Sequence, residues 1–145
     1  MTRVVATGTF DLLHPGHLYY LEESRRLGDE LVVIVARDAN VRHKPRPIVP
    51  EDQRLALIRA LKPVDAARLG DPADMFRPIE ELRPDIITIG CNQHFDEHEL
   101  AAALEARGCG CRVLRIGSFA GTSLCSSRLI VARVCAERCG SLTPD

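Results

Sequence analysis

Val4-Val5-Ala6-Thr7-Gly8-Thr9-Phe10-Asp11-Leu12-Leu13-His14-Pro15-Gly16-His17 is an apolar run that breaks into a turn bearing glycine, proline and two histidines. A buried strand passing directly into a helix has this form. Such a junction suits anions, because the free backbone N–H groups and the positive end of the helix dipole face one point. Gly16 removes side-chain bulk where a phosphate must approach the backbone. His14 and His17, three residues apart, stand where two imidazoles can grip that phosphate. Capping or packing the first helix would account for a lone histidine; the pair at this spacing favours phosphate binding. A metal pair is the other option, although no third ligand lies nearby in sequence.

Outward from this junction the chain alternates strand-length apolar runs with segments of helical period. Arg3 to Ala6, Leu31 to Ala36, Val64 to Leu69, Asp85 to Gly90 and Arg112 to Ile116 read as strands. Several are continuously apolar and β-branched, as in strands covered on both faces. Gly16 to Leu27, Glu51 to Leu61, Ala73 to Leu82, Asp96 to Arg107 and Ser123 to Glu137 read as helices. Pro63 ends the second, and hydroxyl residues open the last. This order predicts an α/β fold: a single Rossmann-like, doubly wound, parallel five-stranded sheet with helices on both faces. Ligands of such sheets bind beyond the carboxyl ends of the strands. The chemically suggestive segments, Gly8 to His17, Arg37 to Lys44, Gly90 to Gln93 and Gly117 to Ser127, all follow strands.

The 145 residues suit one domain, and 46% apolar with 27% charged residues is an ordinary globular balance. A net charge of -1 gives no reason to propose nucleic-acid or membrane-surface binding. With no tryptophan and 4% aromatic residues, a base-stacking platform is disfavoured. No apolar run reaches membrane-spanning length, and no signal-peptide pattern opens the chain, so a soluble cytoplasmic protein is expected. Six cysteines, Cys91, Cys109, Cys111, Cys125, Cys135 and Cys139, form no paired C-x-x-C knuckles. Free thiols are the expectation, ahead of disulfides or a structural zinc site.

Gly8-Thr9-Phe10-Asp11-x-x-His14-x-Gly16-His17 resembles the signature of the cytidylyltransferase-like nucleotidyltransferase superfamily. The resemblance implies a nucleotidyltransferase domain over residues 1–139, with 140–145 as a fraying tail. It implies that His14 and His17 bind the triphosphate and stabilise the transition state at the α-phosphate. Gly8, Thr9, Phe10 and Asp11 would lie on the nucleotide, with backbone amides around Thr9 and Phe10 holding phosphate oxygens. Lys44, in a loop with Arg42, His43 and Arg46, becomes the best candidate for a catalytic cation, although a solvated basic loop explains any one of these charges. Asp38 is a candidate metal or acceptor contact; Arg54 and Lys62 are candidates for the acceptor phosphate. Gly90, Asn92 and Gln93 would read base and ribose, or simply cap a loop. Ser126 and Ser127 would form a second phosphate site at the start of the last helix, where hydroxyls are otherwise plain caps.

Within the superfamily, the segments Leu27 to Asp38, Pro47 to Arg54, Leu61 to Asp65 and Cys125-Ser126-Ser127 are most similar to the archaeal FAD synthase group. That likeness implies ATP and FMN as substrates, Mg²⁺ or another divalent cation as cofactor, and a homodimer as a candidate state. Glycerol-3-phosphate cytidylyltransferases share the first motif and are the alternative, but Arg115 lies out of register with their second signature. A non-catalytic nucleotide-binding sensor on the same fold is the alternative from another class.

Overall fold

Strand β1 (Arg3–Gly8) runs through the middle of the sheet. The computed structural model, which describes residues 1–42 and 44–140, places β2 (Glu30–Val35) and β3 (Ala66–Leu69) on one side of it. On the other side lie β4 (Ile86–Ile89) and β5 (Arg112–Arg115). The order is β3-β2-β1-β4-β5, with every pairing parallel. Helices α1 (Pro15–Arg26), α2 (Glu51–Arg59), α3 (Arg77–Leu82) and α4 (Glu97–Ala106) make the crossovers, and α5 (Ser127–Arg138) follows the last strand. This is the doubly wound, five-stranded sheet expected from the sequence.

Strand alternation splits the apolar residues into two layers. Val4, Ala6, Leu31, Val33 and Val35 pack with Leu21 of α1 and Ile58 of α2. Val5, Val32, Ile34, Ile87 and Ile89 pack with Ile79 of α3 and with Leu100 and Leu104 of α4. Continuous apolar runs therefore mean burial on both faces. Thr88 interrupts β4 with a polar atom that is nevertheless satisfied: its Oγ1 lies 2.7 Å from Ser24 Oγ. The Tyr20 hydroxyl donates to the Thr88 carbonyl at 2.7 Å. This buried network ties α1 to β4 beneath the strand ends.

Two helices begin later than their periodicity suggests. The Asp71 carboxylate accepts the N–H groups of Ala73 and Asp74, and Asp74 accepts that of Phe76. These turns hold the chain out of helix until Arg77. Helix α5 starts at Ser127, because Ser126 is its cap and accepts the Leu129 N–H at 3.2 Å. All six cysteines are free thiols. Among the described residues no helix is long and apolar enough to cross a membrane. Of the tail expected to fray, residues 141–145 lie outside the described residues, as does His43.

Candidate active site

The chain goes from β1 to β2 and β3 on one side, then returns to build β4 and β5 on the other. Beyond the carboxyl ends of β1 and β4 the connections diverge, which leaves the crevice where doubly wound sheets bind ligands. Loops 9–14, 36–50, 90–96 and 116–126 surround it.

His14 caps α1. Its Nδ1 accepts the N–H groups of Gly16 at 3.0 Å and His17 at 3.3 Å, so the ring proton sits on Nε2. The catalytic candidate thus closes its own helix and presents one N–H donor outward. The His17 ring stacks on it with centroids 3.7 Å apart, and Phe10 meets His17 edge-on. His17 Nδ1 is buried with no partner. Burial, followed by the charges of His14 and Lys44, lowers the His17 pKa to about 3, and burial also lowers that of His14. Both rings are neutral at pH 7.

This has a measurable consequence. The unfolded His17 side chain takes up a proton near pH 6.5, whereas the folded one resists until far lower pH. The stabilisation is whole above pH 6.5 and is lost as the pH falls toward 3. Between pH 7.5 and pH 5, His17→Gln should therefore lose about 2 kcal/mol less stability than the parent chain. Urea denaturation at the two pH values reads the difference; equal losses would exclude His17 as the titrating group.

Two helix N-termini meet at this point. A Cβ on Gly16 would lie 2.5 Å from the Cys125 carbonyl oxygen, so the start of α1 abuts the backbone that leads into α5. Ser127 Oγ donates to the Asp11 carbonyl at 2.6 Å. Ser126 and Ser127 thus spend their hydroxyls on the cap and on this tie, and the start of α5 offers backbone N–H groups instead. Phe10 and Leu12, at φ 57° and 49°, put two non-glycine residues in the left-handed region between β1 and α1. Strain of this kind persists where surrounding contacts enforce it.

Those contacts come from Asp11 and Arg54. The Asp11 carboxylate accepts the N–H groups of Ile48 and Val49, both at 2.9 Å. Arg54 is buried and donates to Val49 O at 2.8 Å, Thr9 O at 2.6 Å and Asp38 Oδ1 at 2.5 Å. One guanidinium locks the 9–14 loop to both ends of the 36–50 loop. Partial desolvation pushes the Asp38 carboxyl up, but Arg54, the Glu51 N–H and the Arg46 charge outweigh it and hold the pKa below its ordinary value. Lys44 feels both Asp11 and Arg54; desolvation lowers its pKa, with Asp11 opposing.

The sequence model of the cytidylyltransferase-like family matches residues 5–133. The chain belongs to this family. It is 65% identical over 142 residues to the FAD synthase of Methanosphaerula palustris, covering 98% of this chain and 93% of that one. Against the FAD synthase of Methanoculleus marisnigri it is 69% identical over 138 residues, covering 95% and 92%. The crystal structure of the lipopolysaccharide core biosynthesis protein from Thermoplasma volcanium GSS1 superposes with a TM-score of 0.80 at 50% identity, over 83% of this chain and 99% of that one.

Other residues of this cytidylyltransferase-like chain stand differently from their sequence expectations. Gln93 turns inward: its Oε1 accepts the Gly90 N–H at 2.6 Å, and its Nε2 reaches Thr7 Oγ1 at 3.4 Å. Asn92 is exposed on the same loop. Asp38 and Arg54, expected on the acceptor, satisfy each other. Lys62 follows the C-terminal end of α2, three residues before Asp65, which bonds the start of β2 through Leu31. It therefore lies past the far end of the helix whose first turn carries Arg54. Sequence reasoning set Arg115 aside, yet Arg115 bonds three carbonyls of the 90–96 loop. No sequence signal distinguishes it from other strand-end arginines.

The donor set does not suit a protein-held metal. Asp11 is committed to amides and Asp38 to Arg54 and the Glu51 N–H. Among the described residues, no three His, Cys, Asp or Glu side chains group to hold an ion.

Proposed function

We propose that this enzyme transfers AMP from ATP to the phosphate of FMN, giving FAD and pyrophosphate. The class of reaction rests on the stacked, neutral histidine pair at two converging helix N-termini. The choice of FMN and ATP rests on identities of 65% and 69% to proteins named FAD synthase.

In this reading an oxygen of the FMN phosphate attacks the α-phosphorus of ATP, and the bond from that phosphorus to the bridging oxygen of pyrophosphate breaks. The acceptor phosphate is already an anion at neutral pH, so no base is needed and no covalent enzyme intermediate forms. Catalysis is alignment and stabilisation of charge. His14 donates its Nε2–H to a phosphate oxygen. His17, held against His14, completes the grip, and Lys44 adds positive charge from the loop above. The N–H groups at the starts of α1 and α5 serve the remaining oxygens. Gly8 to Asp11 shape the near wall and Gly90 to Gln93 the far one. Mg²⁺ or another divalent cation would come with the ATP phosphates and offset their charge.

Incubation of the pure protein with ATP and FMN under reducing conditions, followed by chromatography, should yield FAD. A parallel incubation with CTP and glycerol 3-phosphate should yield no nucleotide product. Absence of FAD would overturn the choice of acceptor, and a product only in the second incubation would move the enzyme to the cytidylyl reading. Product in neither would favour a binding domain. The homodimer is part of the same reading, supported by the exposed Leu129, Val131 and Val134 of α5; sedimentation of a monomer at assay concentration would remove it.

A further inference from the structure

We propose that Arg115 is a positioning residue for the nucleoside: it folds the 90–96 loop into the wall against which the base of ATP is read. This rests on the adenylyl-transfer reading above. Arg115 ends β5, and its Nε lies 2.6 Å from Glu97 Oε1, at the start of α4. Its Nη1 donates to Gly90 O at 2.9 Å and to Gln93 O at 2.8 Å, and its Nη2 donates to Phe95 O. Nearly all of the guanidinium's donors are therefore spent on one loop and the helix that follows it. Gln93 completes the knot, fastening the loop at one end to its own start and at the other to Thr7 of β1. The two neighbours of β4, β1 and β5, thus hold between them the loop that follows it.

The arrangement decides which groups stay available. Gly90, Gln93 and Phe95 turn their carbonyls toward Arg115. The N–H groups of Cys91 and Asn92 bond to no group among the described residues, and both side chains are exposed. Adenine carries ring-nitrogen acceptors that such N–H donors and the Asn92 amide can meet. A lysine cannot replace the knot, because it lacks the planar fork that reaches several carbonyls at once. The phosphate grip of His14, His17 and the helix starts lies on other loops and is independent of it.

The test separates base from phosphate. Calorimetric titration with a non-hydrolysable ATP analogue and with tripolyphosphate compares the parent chain with Arg115→Met, Arg115→Lys and Glu97→Gln. Arg115→Met should weaken the analogue about 30-fold, or about 2 kcal/mol, and leave tripolyphosphate within about twofold. Arg115→Lys should recover only a small part of the loss. Glu97→Gln should cost about threefold with the same split, and it carries the test if Arg115→Met fails to fold. In turnover, the KM for ATP should rise while kcat stays within about threefold. Analogue affinity unchanged across the folded variants, equal losses for the analogue and tripolyphosphate, or full rescue by lysine would overturn the proposal. Binding of the analogue needs no acceptor. A parent chain that makes no FAD yet shows the split would sink the FMN reading and leave Arg115 its role.

Discussion

Replacing His14 with asparagine should slow FAD formation by about a hundred- to a thousandfold while barely moving the melting temperature. The rate loss is the usual size for deleting one donor aimed at developing charge. Stability survives because an asparagine oxygen can accept the Gly16 and His17 N–H groups that Nδ1 accepts now. His14→Ala should lose the same rate and, in addition, about 1 kcal/mol from the uncapped α1. Melting curves beside kcat separate the two duties of the ring. Adding His17→Ala should remove measurable turnover with the fold intact; the two losses need not multiply, since stacked partners act as a unit. Turnover close to that of the parent chain in the double variant would end the transition-state role for this pair.

Gly16→Ala should be nearly as damaging for a purely steric reason. The new methyl would sit 2.5 Å from the Cys125 carbonyl oxygen and 2.9 Å from the His14 ring. A backbone carbonyl cannot swing aside like a flexible side chain, so the starts of α1 and α5 must part. Parting them spreads the donors that converge on one phosphate, and a displacement near 1 Å costs about a hundredfold in rate. The expected result is a kcat/KM lower by about that factor, with about 1–3 kcal/mol of lost stability from overpacking. Gly110→Ala is the control, because its Cβ would meet nothing within 4 Å. A Gly16→Ala enzyme with normal kcat/KM would show that the two helix starts need not touch.

The strands and the location of the site were legible in the sequence because burial on both faces leaves an unbroken apolar run. Chemistry, meanwhile, collects after strands in every sheet of this type. The first motif announced the histidines but not the capping duty of His14, since caps are ordinarily serine, threonine, aspartate or asparagine. Arg54 and Lys62 show where the reading ran out. Both were helix-associated cations, and a helical pattern does not say which of them folding will bury. Arg54 stands in the first turn of α2, near the strand ends, while Lys62 comes after all nine residues of the helix. Burial of Arg54 was also invisible, because it depends on carbonyls of Thr9 and Val49 that only folding brings together. The late start of α3 was written in the spacing of Asp71 and Asp74, whose turns outcompeted a weak helical period.

The central place of β1 has a consequence for how the protein is made. Its Val4, Val5 and Ala6 pair on one side with β2, soon after them in the chain, and on the other with Ile86, Ile87 and Thr88. A nascent chain that has left the ribosome only through α3 carries the histidines, Lys44 and Arg54, yet one flank of its central strand is bare. The far wall of the crevice and the second helix start have yet to emerge. Competence for nucleotide therefore arrives late in translation, and until then the exposed edge of β1 is the part of the chain most in need of a chaperone's cover.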